Sequence, residues 1–290
     1  RKHSPKSLLP QKVKSLRMIS IMHEPYKLPD GKVLISLSGG RTSAYMLHQI
    51  LIANDGLHDD VVVAFANTGR EMQGTIDFIK EIQSRWNVNI RWLEYIKAKP
   101  KYQEVNHNSV SLDGKPFMEM IDSKSANKFL PNQNMRYCTQ ELKVKTIKRF
   151  LVGMGWKRWT NTIGIRGDEP RRLKESTDNR WVNWYPIAES KETVRNVNQF
   201  WKQHSFDLKI MKGSGNCDGC FLKSEATLAA MIREYPERMR WWEDMEQMTG
   251  GSFHRNRTYK TLSDFVNKQS DWIFDSQSYL CQQDDGECSG

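Results

Sequence analysis

Apolar residues come in short blocks along the first half of the chain, and the first clear block lies at positions 33–37. Val33, Leu34, Ile35 and Leu37 form an apolar run, which predicts a buried strand. Six small or polar residues follow, Ser-Gly-Gly-Arg-Thr-Ser. After them apolar residues recur at helical spacing, at Ala44, Leu47, Ile50 and Leu51. The pattern predicts a strand, a tight turn and an amphipathic helix.

The same order of elements is repeated downstream. Residues 61–66 predict a second strand, residues 75–86 an amphipathic helix, and residues 89–93 a third strand. Such a βαβαβ series is typical of a parallel sheet covered by helices on both faces, with ligands at the carboxyl ends of the strands. We therefore predict an α/β, Rossmann-like parallel sheet.

The rest of the chain predicts a smaller, mainly helical C-terminal part. Residues 192–201 and 224–248 have helical periodicity, whereas residues 99–129 are polar, poorly periodic and predicted to form a long loop over the site. The predicted organisation is a basic flexible leader at 1–30, an α/β core at 31–188, and a helical region with a cysteine loop and tail at 189–290.

The turn after the first strand has the residues of a phosphate-binding loop. Gly39 and Gly40 permit close backbone approach, so that N–H groups can converge on an anion at the positive end of the helix. Arg41 adds a guanidinium group, and Ser38, Thr42 and Ser43 add hydroxyl donors. An ordinary capped turn is the alternative.

Three further blocks have the character of a ligand site. The second strand ends in Asn-Thr-Gly-Arg-Glu at 67–71, and Arg-Tyr-Cys-Thr at 136–139 opens a helix predicted over 139–152. After an apolar strand at 160–165, the chain reads Arg-Gly-Asp-Glu at 166–169, followed by Arg171 and Arg172. Together with the loop, these blocks resemble the phosphoadenosine phosphosulfate reductase family of the PP-loop (adenine-nucleotide α-hydrolase) superfamily. The resemblance covers about residues 30 to 245.

The resemblance implies a core that binds ATP or a sulfated adenosine phosphate, with Mg²⁺. The residues it places at the nucleotide are Ser38, Gly39, Gly40, Arg41, Thr42, Ser43, Asn67, Thr68, Glu71, Arg166, Arg171 and Arg172. It implies that the arginines hold pyrophosphate and that carboxylates hold magnesium, which gives catalytic roles to Arg41, Asp168 and Glu169.

Two residues depart from the usual Ser-Gly-Gly-Lys-Asp-Ser loop of the superfamily. Arg41 replaces lysine, which keeps the charge and can grip phosphate oxygens at two points. Thr42 replaces aspartate and removes a carboxylate. If that carboxylate helps to hold magnesium in the family, Asp168 or Glu169 is expected to replace it here.

Three of the five cysteines are predicted to hold a metal centre. Cys217 and Cys220 form a C-x-x-C on a glycine-rich loop, and Cys138 lies in a segment that follows another strand of the same sheet. We predict an iron–sulfur cluster, because thiolates are its standard ligands. Some members of the resembled family pair an upstream cysteine with a later C-x-x-C around a four-iron cluster. A zinc ion and a redox disulfide are the alternatives.

The other two cysteines lie near the C-terminus. Cys281 is the candidate fourth ligand. Cys288, within Glu-Cys-Ser, partly matches the Glu-Cys-Gly segment that carries the catalytic cysteine of sulfonucleotide reductases. An accessory metal clip is the alternative for this pair.

Charge raises the question of a polyanionic partner. The net charge is +10, and the first 17 residues contribute +6 of it. On the helix predicted at 139–152, Lys145, Lys148 and Arg149 share a face that can attract the phosphates of a nucleotide or a nucleic acid. No apolar run has the length of a membrane span, so we expect no membrane partner, a cytoplasmic location and reduced cysteines.

These features predict an ATP-dependent enzyme. It would adenylate an acceptor, with nucleic acid as one candidate, release pyrophosphate, and couple this to sulfur transfer at an iron–sulfur cluster. The alternative is a sulfonucleotide reductase in which a tail cysteine attacks the substrate sulfur. A nucleotide- or nucleic-acid-binding protein that has lost turnover is the second alternative, favoured by Thr42.

Overall fold

A six-stranded sheet forms the centre of the fold in a computed structural model, which describes residues 24–124 and 129–268. The strands are β1 (Val33–Ser36), β2 (Val61–Asn67), β3 (Ile90–Glu94), β4 (Gln103–Val105), β5 (Trp159–Thr162) and β6 (Trp181–Trp184). Their order is β4-β3-β2-β1-β5-β6. The antiparallel pair is β3 with β4, and the other neighbouring strands are parallel.

Helices connect and flank these strands. They are α1 (Arg41–Asn54), α2 (Gln73–Arg85), α3 (Lys115–Ser123), α4 (Lys145–Gly153), α5 (Pro186–Glu189), α6 (Val194–Lys202), α7 (Glu225–Glu234), α8 (Pro236–Thr249) and α9 (Tyr259–Lys268). Short 3₁₀ turns lie at Glu24–Tyr26 and Pro170–Arg172, and a π-helical segment, Thr139–Val144, leads into α4. Within the described ranges, every helix is too short or too polar to cross a membrane.

Both faces of the sheet are buried, as the sequence predicts. On one face, Ile35 and Phe65 pack with Ile79 of α2 in a large apolar cluster. On the other face, Leu34 packs with Phe150 of α4. The near-continuous apolar character of β1 and β2 follows from this double burial, and the predicted α/β class is confirmed.

The helical C-terminal region has an apolar cluster of its own. Trp242 of α8 and Tyr259 of α9 pack there with Phe117 of α3 and with the buried Cys217 and Cys220. By contrast, α6 packs against α1 through residues of the cluster around β1. The boundary predicted at 188/189 stays a prediction.

The long loop predicted at 99–129 is wrong, because this segment contains β4 and α3. The apolar residues of α3 that become buried are Phe117, Met120 and Ile121, a stripe too short to stand out among its polar neighbours. Strand β6 and helix α9 were also not predicted.

Candidate functional site

The turn after β1 closes tightly over the start of α1. Gly39 has a φ of +85°, and a Cβ at this position would lie 2.6 Å from Cγ2 of Thr75. Glycine is therefore required here. Gly40 precedes the first helical residue and has no side chain with which to cap the helix. The N–H groups of the first turn of α1 are thus available for an anion.

Two serine hydroxyls hold this loop together. Oγ of Ser38 lies 2.8 Å from Oγ of Ser43, which donates to the carbonyl oxygen of Gly40 at 3.1 Å. Gly164, just after β5, comes so close that a Cβ there would lie 3.0 Å from Cα of Ser43. The segments after β1 and β5 therefore meet at the start of α1.

The guanidinium of Arg41 pairs with a carboxylate. Nε and Nη2 of Arg41 donate to the two oxygens of Asp207 at 2.7 and 2.8 Å, and Nη2 also donates to the carbonyl oxygen of Leu208 at 3.3 Å. Arg41 thus makes with a carboxylate the bidentate interaction that the sequence predicts with phosphate. The structure shows this carboxylate partner for Arg41, and its predicted catalytic and phosphate-binding role stays a prediction.

The loop after β5 brings its charges together in pairs. Arg166 is 2% exposed, and its Nε donates to Asp168 at 3.0 Å. Its Nη2 lies 3.4 Å from Oε2 of Glu169, and its Nη1 lies 3.4 Å from Oγ1 of Thr42. The position at which the superfamily usually has aspartate therefore faces this arginine.

Both acids of this loop are already engaged. Asp168 also accepts a hydrogen bond from the backbone N–H of Val194, at the start of α6, at 3.2 Å. Glu169 is buried and pairs with Arg172 as well as with Arg166. Both carboxylates therefore neutralise arginines in this structure, and the predicted roles of Asp168 and Glu169 as magnesium ligands and catalytic groups stay predictions.

A cavity of about 140 Å³ lies beside the phosphate loop. Its apolar lining includes Leu34, Ala66, Ile147, Trp159 and Trp181, and its polar lining includes Ser38, Ser43, Lys143, Lys148 and Arg172. The rings of Trp159 and Trp181 stack at 5.2 Å. Arg171, which was also predicted to bind pyrophosphate, is exposed. An apolar chamber with cations and hydroxyls along its lining suits a nucleotide.

The residues after β2 divide between two roles. Nδ2 of Asn67 donates to Glu94 at 2.6 Å and to the carbonyl oxygen of Ser111 at 2.8 Å. This ties β2 to β3, and the predicted nucleotide contact of Asn67 stays a prediction. Thr68 donates to Glu71, and its Oγ1 lies 3.2 Å from Sγ of Cys217. Thr68 and Glu71 therefore belong to the cysteine side of the site.

The three described cysteines line one cavity. Cys138, Cys217 and Cys220 all border a space of about 20 Å³, together with Thr68 and Arg136. Cys217 and Cys220 are buried and Cys138 is half-buried. The structure thus brings Cys138 next to Cys217 and Cys220, which lie about 80 residues later in the sequence.

Two residues border both cavities. Thr139 and Lys143 line the chamber beside the phosphate loop and also the cysteine cavity. Both lie on the π-helical segment, a geometry that recurs at functional sites. Nζ of Lys143 lies 3.5 Å from Oε1 of the buried Glu71. The phosphate loop and the cysteines are therefore adjacent.

Comparison with known proteins agrees with this geometry. The model of the phosphoadenosine phosphosulfate reductase domain matches residues 32–215, from β1 to the edge of the cysteine loop. The chain belongs to the phosphoadenosine phosphosulfate reductase family. The family match covers the phosphate loop, the turn after β2, Cys138 and the charged loop after β5.

Relatives occur in a phage and in an archaeon. The nin region protein ORF290 of Escherichia phage lambda is 30% identical over 211 residues, which cover 69% of each chain. A protein of Methanocaldococcus jannaschii is 26% identical over 247 residues, covering 82% of this chain and 53% of that one. The chain therefore spans about half the length of this archaeal relative.

Similar solved structures include a reductase and a thiolase. The phosphoadenylyl-sulfate reductase of Candida auris, in a phosphate complex, has a TM-score of 0.40 and 13% identity, covering 69% of this chain and 89% of that one. The U34-tRNA thiolase NcsA of Methanococcus maripaludis, with its [4Fe-4S] cluster, has a TM-score of 0.43 and 12% identity, covering 99% and 93%.

Three cysteines of this family member border one cavity. Among residues 24–124 and 129–268, no three His, Cys, Asp or Glu side chains are grouped closely enough to hold one metal ion. Thiolates are the donors that an iron–sulfur cluster takes, and the cluster predicted at Cys138, Cys217 and Cys220 stays a prediction. Cys281 and Cys288 lie outside the described residues, as does most of the leader.

Sequence reasoning missed a buried ionic group beside the cysteines. Asp218, between Cys217 and Cys220, pairs with Arg70 at 2.6 Å and with Arg238 at 2.8 Å. Burial lowers the pKa of Arg70, and the charge of Asp218 opposes that shift. A charged residue inside a C-x-x-C was the available signal for Asp218, whereas nothing in the sequence pointed to its partners.

The basic face predicted on the helix after Cys138 is largely paired. Lys145 and Arg149 both contact Glu141, at 2.8 and 3.2 Å. Lys148 pairs with Asp178, although it also lines the cavity beside the phosphate loop. This helix therefore carries less unbalanced charge than its sequence suggests, which weakens the argument for a nucleic-acid surface there.

Proposed function

We propose that this protein is an ATP-dependent PP-loop enzyme that adenylates an acceptor and transfers sulfur to it. The observation that carries the proposal is the pair of cavities that share Thr139 and Lys143, one beside the phosphate loop and one beside three cysteines. Activation by a nucleotide and attack by sulfur require these two kinds of site to be within reach of one substrate.

The nucleotide would occupy the larger cavity. Trp159 and Leu34 supply apolar surface for a base and a ribose, and the start of α1 supplies N–H donors for the phosphates. Lys148 and Arg172 would stabilise the departing pyrophosphate. We assign no part in this step to Arg41, because its side chain pairs with Asp207 and does not line the cavity as Lys148 and Arg172 do.

The reaction has two balanced steps. An amide-type oxygen of the acceptor attacks the α-phosphorus of ATP while the amide nitrogen loses its proton to solvent. The bond from that phosphorus to the bridging oxygen breaks, and pyrophosphate leaves with the electron pair. A hydrosulfide ion then attacks the adenylated carbon, and AMP leaves with the former acceptor oxygen. The proton of the hydrosulfide stays on the product. No net oxidation occurs, so hydrosulfide is the co-reactant that the second step requires.

Cys138, Cys217 and Cys220 would hold the iron–sulfur cluster. When bound there, the cluster would present the sulfur that is to be transferred. Lys143 borders both cavities, so its ammonium group can balance negative charge on the adenylated acceptor and on the departing AMP. Thr68 and Glu71 would fix Lys143 and Cys217 relative to one another.

Substrate choice and iron content test this proposal. Protein purified without oxygen should contain iron and acid-labile sulfide, and replacing Cys217 by serine should lower both. With ATP, hydrosulfide and bulk transfer RNA as a trial acceptor, we expect pyrophosphate and AMP in equal amounts. Adenylyl sulfates should yield neither sulfite nor pyrophosphate.

The sulfonucleotide reductase is the second candidate, favoured by the family match. It predicts the opposite result, sulfite release from an adenylyl sulfate that depends on a thiol reductant and on Cys288. Sulfite release lost in Cys288→Ser would overturn the proposal. Zinc in place of iron would overturn the sulfur-transfer step of the proposal.

A further inference from the structure

Asp218 is fully buried between the two cysteines of the C-x-x-C, with 0% of its surface exposed. Its Oδ2 accepts hydrogen bonds from Nη2 of Arg70 at 2.6 Å and from Nε of Arg238 at 2.8 Å. Its Oδ1 accepts from Nε1 of Trp242 at 2.8 Å and from the backbone N–H of Gly219 at 2.7 Å. Donors thus surround the whole carboxylate.

These donors come from three separate segments. Arg70 lies in the turn after β2, Arg238 and Trp242 lie on α8, and Gly219 lies in the cysteine loop itself. Two further bonds join the same segments. The backbone N–H of Asp218 donates to the carbonyl oxygen of Arg70 at 2.8 Å, and Arg238 donates to that of Glu71 at 2.8 Å.

Packing leaves the loop little room to move. A Cβ on Gly219 would lie 2.3 Å from Nε1 of Trp242, so the indole sits directly against the loop backbone. A buried carboxylate is costly unless its charge is paired and its oxygens accept hydrogen bonds. Asp218 meets that condition where it lies, directly after Cys217 in the chain.

We propose that Asp218 is a positioning residue, which fixes Cys217 and Cys220 in the wall of the cysteine cavity before any ligand binds there. Arg70 and Arg238 transmit that position to the turn after β2, which contains Thr68 and Glu71. This role does not depend on what the cysteines bind, so it goes beyond the proposed function.

Hydrogen exchange on reduced, metal-free protein tests the role directly. In Asp218→Asn, we expect the amides of residues 216–221 to exchange at least about tenfold faster, because one partner of a buried ion pair is lost and the loop opens locally. Alkylation of Cys217 and Cys220, compared with Cys138 in the same sample, should rise in parallel. The exchange measurement separates loop opening from any change in thiol acidity.

A matched control separates this role from general stability. Glu94 is another fully buried carboxylate, bonded to Asn67 and Ser111 and not to the cysteine loop. Glu94→Gln should lower the melting temperature, and amide exchange at 216–221 should change no more than amide exchange in the rest of the chain. The proposal fails if Asp218→Asn behaves in the same way, with no selective change at the loop.

Arg238 provides a second, milder test if Asp218→Asn does not fold. Its side chain is 24% exposed, so the substitution buries less uncompensated charge than Asp218→Asn does. Asp218 keeps its ion pair with Arg70 in this variant. Arg238→Met should speed loop exchange a few-fold, and Arg238→Lys should restore most of the protection. Equal exchange in both variants and the parent would also overturn the proposal. Iron content plays no part in these readouts, so failure of the cluster assignment leaves them interpretable.

Discussion

Nζ of Lys143 lies 3.5 Å from Oε1 of Glu71, a carboxylate that is 1% exposed. Lys143 lines both the cavity beside the phosphate loop and the cysteine cavity. Glu71 accepts a hydrogen bond from Thr68, which contacts Cys217. One cation therefore borders the phosphate side and, through Glu71 and Thr68, is connected to a cysteine sulfur.

Replacing Lys143 by methionine should slow turnover far more than it weakens ATP binding. The variant keeps the helical propensity and most of the volume, but it removes the charge that borders both cavities. We expect kcat for AMP release in the complete reaction to fall roughly 10²-fold, with a smaller change in the dissociation constant for ATP measured by calorimetry.

Lys145→Met is the matched control for this prediction. Lys145 lies two residues further along, at the start of α4, and its half-exposed side chain pairs with the buried Glu141. It should keep kcat near the parent value. Lys143→Arg should recover part of the activity. Equal kcat values for Lys143→Met and Lys145→Met would show that the charge of Lys143 has no part in turnover.

Gly39→Ala should weaken nucleotide binding. The added Cβ would meet Cγ2 of Thr75 at 2.6 Å in a loop whose φ is +85°, so the turn must change shape. We expect ATP affinity to fall at least about tenfold by calorimetry, which corresponds to about 1.4 kcal/mol of binding free energy.

Gly155→Ala supplies a control with the same backbone strain. Gly155 also has a φ of +85°, but a Cβ there meets nothing within 4 Å. Both variants should lose stability, by about 1 kcal/mol for Gly155→Ala. Affinity for ATP should change in Gly39→Ala alone. An equal loss of affinity in both would mean that the loop has no special part in binding.

The pairing of Arg41 with Asp207 leads to a different test, because the sequence predicts that Arg41 holds phosphate. If Asp207 is its partner, Asp207→Asn should leave ATP affinity unchanged or increase it, since the guanidinium is released. Arg41→Met should then cost little affinity, and a double-mutant cycle in urea should give a coupling of about 0.5–1 kcal/mol for this half-exposed pair. A tenfold or larger loss of ATP affinity in Arg41→Met would restore the phosphate-binding role.

Sequence alone predicted the sheet and the meeting of the loops, because apolar periodicity and strand ends are local signals. The apolar runs at 33–37 and 61–66 predicted two strands that are buried on both faces of the sheet. The sequence could not show that Arg41 pairs with Asp207, 166 positions away. Nor could it show that Asp168 and Glu169 pair with arginines. Charged side chains choose among several possible partners only when tertiary packing brings those partners within reach. The π-helical start of the helix after Cys138 was likewise hidden, because its sequence has ordinary helical periodicity.

Glu141 should make folding stability dependent on pH in the acid range. Burial by itself would raise the pKa of Glu141, but hydrogen bonds from Lys124, Lys145 and Arg149 outweigh it and lower the pKa to about 2. The unfolded chain, with a pKa near 4.5, binds the proton more readily. The stabilisation is therefore complete above about pH 4.5 and is lost as the pH falls toward 2.

Glu141→Gln should accordingly destabilise the protein at neutral pH and have little effect near pH 2. Because two of the three cationic partners are partly solvated, we expect a loss of about 2 kcal/mol at neutral pH, measured from urea midpoints across the pH range. Glu237→Gln, at a highly exposed position on α8, should leave the pH profile unchanged. If the Glu141→Gln and parent curves stayed parallel from pH 7 to 2, the three cations would not be stabilising the charged form of Glu141.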